Sequence, residues 1–397
     1  MSAPIELDAE RIRPTPALLT IFAITLMAVL GVASIAPAFP RVARVFDATP
    51  GQIGGLITAF TLPGVFLSPL LGAWADRFGR RAVLVPALLV FAGAGVACAF
   101  ASDLSVLFAL RFLQGVGAAP LGSLNVTLIG DLYAGRRQVA AMGANAAVLS
   151  AGTAVYPVVG GFLAGIDWHW PFSLPLLAVP VALLAATKLP DHPLGEPEKL
   201  TAYFRRIAAR LDRTRLTLMV ASLLTFVVLY GSYLTYVPFV LDSRFALSSK
   251  AIGVVFLVAS IATMLVSSWL APITERVGRR RLLIGSYGLY VLSMAIVPLA
   301  PSPAWIFVGS AIFGAANGMN IPTLASWLAA SVDRDVRAGM MALNAVALRG
   351  GQTLGPVIAG AGFAFGGIEG AFATGVVVSV ALMCVVAGLA SAPVDPA

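Results

Sequence analysis

Apolar residues run along this chain in long unbroken stretches, each closed by charges, prolines or glycines, without the alternation of a half-buried strand. Breaking the sequence at those points gives twelve segments, near 16–38, 50–73, 82–101, 104–129, 139–164, 170–189, 215–240, 250–271, 282–300, 304–329, 338–363 and 370–391. At 1.5 Å per residue, segments of about 18 to 25 residues cross the ~30 Å hydrocarbon layer of a bilayer. Every backbone polar group in that layer must be satisfied within a helix or a closed barrel, and the alternating ten-residue pattern of barrel strands is missing. The pattern therefore predicts an all-α membrane protein with twelve transmembrane helices and both termini on one side.

Composition agrees: 59% of the residues are hydrophobic and 11% charged, against about 25% charged in soluble domains. The distribution of the 26 Lys and Arg residues orients the chain. With the N-terminus inside, the outer loops hold only Arg41, Arg44, Arg244 and Lys250, while Arg111 and Arg349 lie within spans and all other bases fall in inner loops. That asymmetry predicts a multi-pass protein of the cell membrane with cytoplasmic termini, and it accounts for the net charge of +8 without nucleic acid. Cys98 and Cys384 fall inside apolar spans, where they read as small core residues; no disulfide framework and no metal-ligand spacing is present. The first apolar run is longer than a signal-peptide core, so despite Ala36-Pro37-Ala38 it is expected to be an uncleaved span.

The one long polar connection, 190–214, falls at the midpoint and divides the chain. The expected organisation is a cytoplasmic tail (1–14), a six-helix bundle (15–189), the cytoplasmic linker (190–214), a second six-helix bundle (215–391) and a short tail (392–397). In the linker, Leu200, Tyr203, Phe204, Ile207 and Leu211 recur at helical spacing, with Arg205, Arg206, Arg210 and Arg213 on other faces. That pattern suits an amphipathic helix on the membrane surface, and a solvated tether suits it equally.

The halves repeat. Gly72-Ala-Trp-Ala-Asp76-Arg77-Phe-Gly79-Arg80-Arg81 returns 199 residues later as Ala271-Pro-Ile-Thr-Glu275-Arg276-Val-Gly278-Arg279-Arg280. At the same offset Ile53-Gly54 matches Ile252-Gly253, Asn145 matches Asn344, Pro157 matches Pro356 and Gly161 matches Gly360. Two bundles in parallel repeat, related about an axis along the membrane normal, form a transporter plan.

The turn at Gly72, Asp76, Arg77, Gly79, Arg80 and Arg81, with two six-span halves and the central loop, resembles the major facilitator superfamily over essentially the whole chain. On physical grounds Asp76 can pair with Arg80 across the turn. The resemblance implies that this cluster, with Asp131 at the end of span four, latches the halves in the outward-facing state. Its second copy departs at Ala271 and Glu275 but keeps Arg279. The competing reading is that the arginines merely hold the loop inside.

Arg111, in Leu110-Arg111-Phe112-Leu113-Gln114-Gly115, sits ~10 Å into its span and needs a partner or water. It resembles the family's fourth-helix motif, which implies a bond to the backbone of the first helix and a part in proton coupling, shared here with Asp76 and Asp131 as candidates. The alternative is an arginine snorkelling to the interface. Gly115-x-Gly117 has no strand before it, so close helix packing is expected there and not a dinucleotide loop.

In span five, Gly152, Pro157, Gly160 and Gly161 resemble the fifth-helix motif of the antiporter branch, the exporters, with Tyr156 where that pattern has glycine; Gly355-Pro356 repeats it in span eleven. Proline removes a helix donor and glycine admits a close neighbour, which gives a packed helix able to pivot.

Arg349 lies ~18 Å into span eleven, near the bilayer midplane. It is expected to face a central cavity and attract an anionic or polar group, or else to bond structurally near Asn344 or Gln352. Asn125, Asn145, Tyr156, Tyr233, Tyr236, Asn317, Asn320, Asn344 and Gln352 are further cavity candidates, each equally able to serve as packing glue. None of the 18 acids lies mid-span, which argues against an obligate lipophilic-cation substrate and for a neutral, zwitterionic or anionic one.

The function expected is secondary transport, as a proton-coupled exporter of drugs or small metabolites, by a monomer without cofactor or metal. A sugar, organic-anion or other metabolite carrier is the alternative within transporters. A membrane enzyme would need a catalytic constellation; only His169 and His192 exist, on opposite sides by this topology, with no hydrolase or metalloprotease motif.

Overall fold

The computed structural model describes residues 15–190 and 210–389. The spans are α1 (Pro16–Val45), α2 (Pro50–Phe78), α3 (Arg80–Phe100), α4 (Leu104–Leu132), α5 (Gly135–Ile166) and α6 (Trp170–Lys188) in the first half. The second half has α7 (Arg213–Phe245), α8 (Ser249–Ser268), α9 (Arg279–Leu299) and α10 (Pro303–Ala330). The last helical stretch, Arg334–Ala387, leaves helical geometry at Gly366 (φ −141°, ψ 22°) and Gly367 (φ 62°, ψ −150°). Two helices meet there, α11 (334–365) and α12 (368–387), which completes the twelve. Among the described residues there is no strand.

Local chemistry sets the ends. Thr49 caps α2 by accepting from the Gln52 N–H at 3.3 Å, while Gln52 answers with its side chain at the Thr49 N–H. Ser248 caps α8 in the same way from Ala251. Asp212 caps α7 at Arg215, so that helix starts at Arg213, inside the segment read as linker. The tails and the linker's amphipathic stretch from Leu200 to Ile207 lie outside the described residues.

The repeat is carried by the backbone. Helices α2 and α8, α3 and α9, α4 and α10, and α5 and α11 each begin 199 residues apart. The two turns share one conformation: Gly79 has φ 92°, ψ 147° and Gly278 has φ 83°, ψ 148°, a region that side-chain-bearing residues essentially never enter. The symmetry fails at the first span of each half. In α1 a 3₁₀ turn at Ala36–Ala38 precedes the final helix, whereas α7 widens into a π turn at Val228–Tyr233.

Large apolar side chains such as Leu183, Leu299, Phe365 and Val377 lie exposed on the outside, as a lipid-facing surface requires. The bundles meet along two symmetry-related seams, α2 against α11 and α5 against α8. Gly54 lies against the ring of Pro356 and Thr235, and its counterpart Gly253 lies against the backbone carbonyl of Pro157. Gly161 packs on Ser249 and Gly253.

Backbone geometry separates the two glycines of the first turn. Gly79→Ala is expected to cost about 1–3 kcal/mol and lower the melting midpoint in detergent. Gly72→Ala, where a Cβ meets nothing within 4 Å, should leave the midpoint unchanged. Equal behaviour of the two variants would remove the conformational argument.

Candidate functional site

At the turn end of the first bundle, Arg80 opens α3 with only 6% of its surface exposed. Its Nε donates to Asp131 Oδ2 at 3.1 Å, and Nη1 pairs with Asp76. One guanidinium thus ties the ends of α2, α3 and α4, and the grouping of Asp76, Arg80 and Asp131 expected from the sequence is present. Arg77 lies over the Phe78 ring at 5.3 Å.

The second copy is not built that way. Glu275 and Arg279 are exposed and form no ion pair among the described residues, and Arg280 instead donates to the carbonyl of Ala387. The reason is visible in the sequence: Ala330 stands where the repeat of Asp131 would fall, so the second turn lacks the acid that would draw an arginine inward.

Arg111 is fully buried. Nη2 donates to the Gly31 carbonyl at 2.8 Å, Nη1 to Gln114 Oε1 at 2.6 Å, and Nε reaches the Leu56 carbonyl at 3.5 Å. The Phe60 ring covers the guanidinium at 4.4 Å. The bond to the first helix is therefore formed, and snorkelling is excluded. Gly115, one turn on, lets α4 approach the Phe60 backbone closely.

Most of the polar midspan candidates join helices inside one bundle. Thr25 donates to Asn145 at 2.6 Å and accepts from Asn125 at 2.7 Å, tying α1, α4 and α5. In the second bundle Asn320 accepts from Thr225 at 3.1 Å and donates to Ser286 at 3.0 Å, while Tyr290 donates to Asn317. Tyr233 stacks on Phe313 at 3.8 Å and Tyr236 on Phe363 at 5.5 Å. Tyr156 rests partly buried beside Gly152. Asn344 is buried with its Oδ1 unpaired, beside a small cleft lined also by Ser222, Thr225 and Leu348.

The space between the bundles is bridged from midspan to the end opposite the Gly72–Arg81 turn. Arg349 on α11 reaches into the first bundle and donates to the Ala119 carbonyl at 3.3 Å, beside Gly64 and Gly122. Thr58 donates to the Thr353 carbonyl and the Thr353 hydroxyl donates to Thr61, both at 2.9 Å. At the far end Arg44 pairs with Asp242 at 2.6 Å. These contacts bridge the bundles at that end, whereas the Asp76–Arg80–Asp131 ion pairs at the turn end join helices of the first bundle. Sequence reasoning missed Thr58, Thr61, Thr353, Tyr230 and the Arg44–Asp242 pair. Only the last had a signal, because charges are so scarce in those loops.

Two six-helix membrane bundles in parallel repeat, joined by glycine and proline seams, have the architecture of a secondary transporter. The sequence pattern of the Major Facilitator Superfamily matches residues 21–274 and 240–397, and the chain belongs to that family. It is 26% identical to "Multidrug resistance protein 2" of Bacillus subtilis (strain 168) over 66% of this chain and 69% of that protein. It is 24% identical to the "Bacillibactin exporter" of the same organism over 80% of this chain and 82% of that protein. A crystal structure of a single-site mutant of the nucleoside transporter NupG superposes with a TM-score of 0.79 at 16% identity, covering 94% of this chain and 99% of that one.

Arg111→Lys supplies a point charge in place of a fork and cannot hold Gly31, Gln114 and the Phe60 face together. The expected loss is about 2–3 kcal/mol, the scale of one hydrogen bond to a charged group, read as a lower melting midpoint. A variant with wild-type melting would show that the backbone bond adds nothing.

Proposed function

We propose that the protein is a proton-coupled exporter of drugs or small metabolites in the cell membrane, acting as a monomer by rocking of the two bundles. With the termini in the cytoplasm, a reading supported by the excess of Lys and Arg in the loops on that side, the turn end is the cytoplasmic end. The described conformation is then closed to the outside, and substrate enters from within. The observation that carries this reading is the confinement of the Asp76–Arg80–Asp131 cluster to the first bundle while Arg44–Asp242 bridges the bundles at the opposite end. The similarity to the Bacillibactin exporter supports the outward direction.

In this cycle the turn of Gly72, Asp76, Arg77, Gly79, Arg80, Arg81 and Asp131, with Glu275 and Arg279 opposite, closes the cytoplasmic end. The residues Gly152, Pro157, Gly160, Gly161, Gly355 and Pro356 form the surfaces on which the helices pivot. Asp76 and Asp131 are the carboxylates placed to exchange protons with the cytoplasm, and Arg111 holds α4 on α1 through the change. Arg349 and Gln352 line the substrate path, and the substrate is neutral, zwitterionic or anionic.

In inverted membrane vesicles holding an acid interior, a transported compound should dissipate the proton gradient. Asp76→Asn should slow that dissipation severalfold at unchanged protein level. A panel of neutral and anionic compounds that leaves the gradient intact would defeat antiport. Full turnover in the Asp76 variant would defeat the latch.

A further inference from the structure

Arg111 and Arg349 lie well inside their spans, away from the helix ends, and they are satisfied very differently. Arg111 meets two carbonyls, a glutamine and an aromatic face. Arg349 has a single hydrogen bond, at 3.3 Å, to the Ala119 carbonyl, which already accepts from Ser68 Oγ at 2.8 Å. Among the described residues no carboxylate pairs with it. A guanidinium offers five donors, and a cation near the bilayer midplane without a counter-charge is expensive and functional by default.

The surroundings of Arg349 are shaped to admit its head. Gly64 and Gly122 leave the slot open: a Cβ on Gly122 would stand 3.0 Å from Nη2, and one on Gly64 would run into Nη1. On the second-bundle side, Tyr230 of the π turn in α7 is bonded to Gln352, which follows Arg349 by three residues on the same face of α11. Gln352 Nε2 donates to the Tyr230 hydroxyl oxygen at 3.1 Å, which leaves the phenolic proton available to another acceptor. Cation and hydroxyl are thus linked through one face of α11, a helical turn apart, and both donate best to an acceptor bearing negative charge.

We propose that Arg349 and Tyr230 form a binding site for an anionic group, the carboxylate of an organic substrate or an inorganic anion, at the midplane between the bundles. The anion takes the guanidinium from the Ala119 carbonyl. Because that bond joins the second bundle to the first, occupancy exchanges a bridge between bundles for a bond to the ligand. Binding and release of the halves are coupled through one side chain. The proposal rests on the transporter reading above and narrows its substrate class.

The test uses the full-length protein purified in detergent, with melting followed against benzoate, 2-naphthoate, chloride and the neutral analogue benzyl alcohol at constant ionic strength set with fluoride. Wild type should be stabilised by the carboxylates if the site takes organic anions, or by chloride if it takes inorganic ones, and not by benzyl alcohol. Arg349→Gln should raise the half-maximal concentration about tenfold or more, the scale of one lost charge-assisted bond. Tyr230→Phe should raise it by a smaller factor. Arg349→Lys keeps the charge and should retain the response, which guards against a fold defect in the glutamine variant. Absence of any anion effect on wild type overturns the proposal, as does an equal anion response in Arg349→Gln. The gradient assay in vesicles is a separate measurement: its failure with an intact anion response would remove proton antiport and leave the site standing.

Discussion

A bilayer gives neither a backbone amide nor a guanidinium any water to fall back on, and that constraint organises this molecule. Where a chain can move only as rigid helices, motion has to happen where helices touch without side chains in the way. The two seams between bundles are such places: Gly54 against Pro356, and Gly253 and Gly161 against Pro157 and Ser249. Glycine brings backbone onto backbone, and proline frees a carbonyl that would otherwise be locked into its own helix. The same rule explains why polar side chains at depth tie neighbouring helices together, as Thr25 does with Asn125 and Asn145.

Much of this was legible in the sequence because the bilayer writes its constraints into composition. Twelve apolar runs emerged as twelve helices, and the 199-residue offset reappeared as helix starts and as two glycine turns of one geometry. Arg111 was legible because a charge among apolar residues must be answered, and its answer at Gly31 matched the pattern it resembles. What the sequence could not display were contacts decided by rotation of one helix on another. Thr58, Thr61 and Thr353 resemble any other threonine in a membrane helix until α2 and α11 are seen face to face. The π turn that carries Tyr230 sets Gly231 against Gly355 and leaves no mark on hydropathy. Conversely Tyr233, Asn317 and Asn320 had the composition of a cavity wall and pack inside the second bundle, while Tyr236 stacks on Phe363 at the seam beside Gly51.

The departures from symmetry are where the halves take different tasks. Asp131 has Ala330 as its counterpart, so only the first turn gathers an arginine between two acids. Arg111 has Ser310 as its counterpart and Arg349 has Ser150, so each half keeps one in-span cation at a position that the other half leaves neutral. Arg111 is spent within its own bundle and makes α4, α2 and α1 a single body. Arg349 reaches across to the other bundle and holds it by one bond.

That contrast gives the alternating cycle a physical asymmetry. A rigid first bundle, cemented at midspan by Arg111 and at its turn end by Arg80, can move as a unit only if what joins it to the second bundle is weak and exchangeable. The threonine bonds on α2 and α11 are neutral and of ordinary length, and the Arg349 bond is long, shared and directed at a carbonyl that has another donor. Neutral hydrogen bonds contribute about 0.5–1.5 kcal/mol each on balance. A handful of them sums to a few kcal/mol, within reach of the differential binding of one small ligand. The first bundle therefore travels whole because Arg80 and Arg111 are satisfied inside it, and the interface yields at midspan because Arg349 is held there by one bond, the exposed Arg44–Asp242 pair parting at the far end.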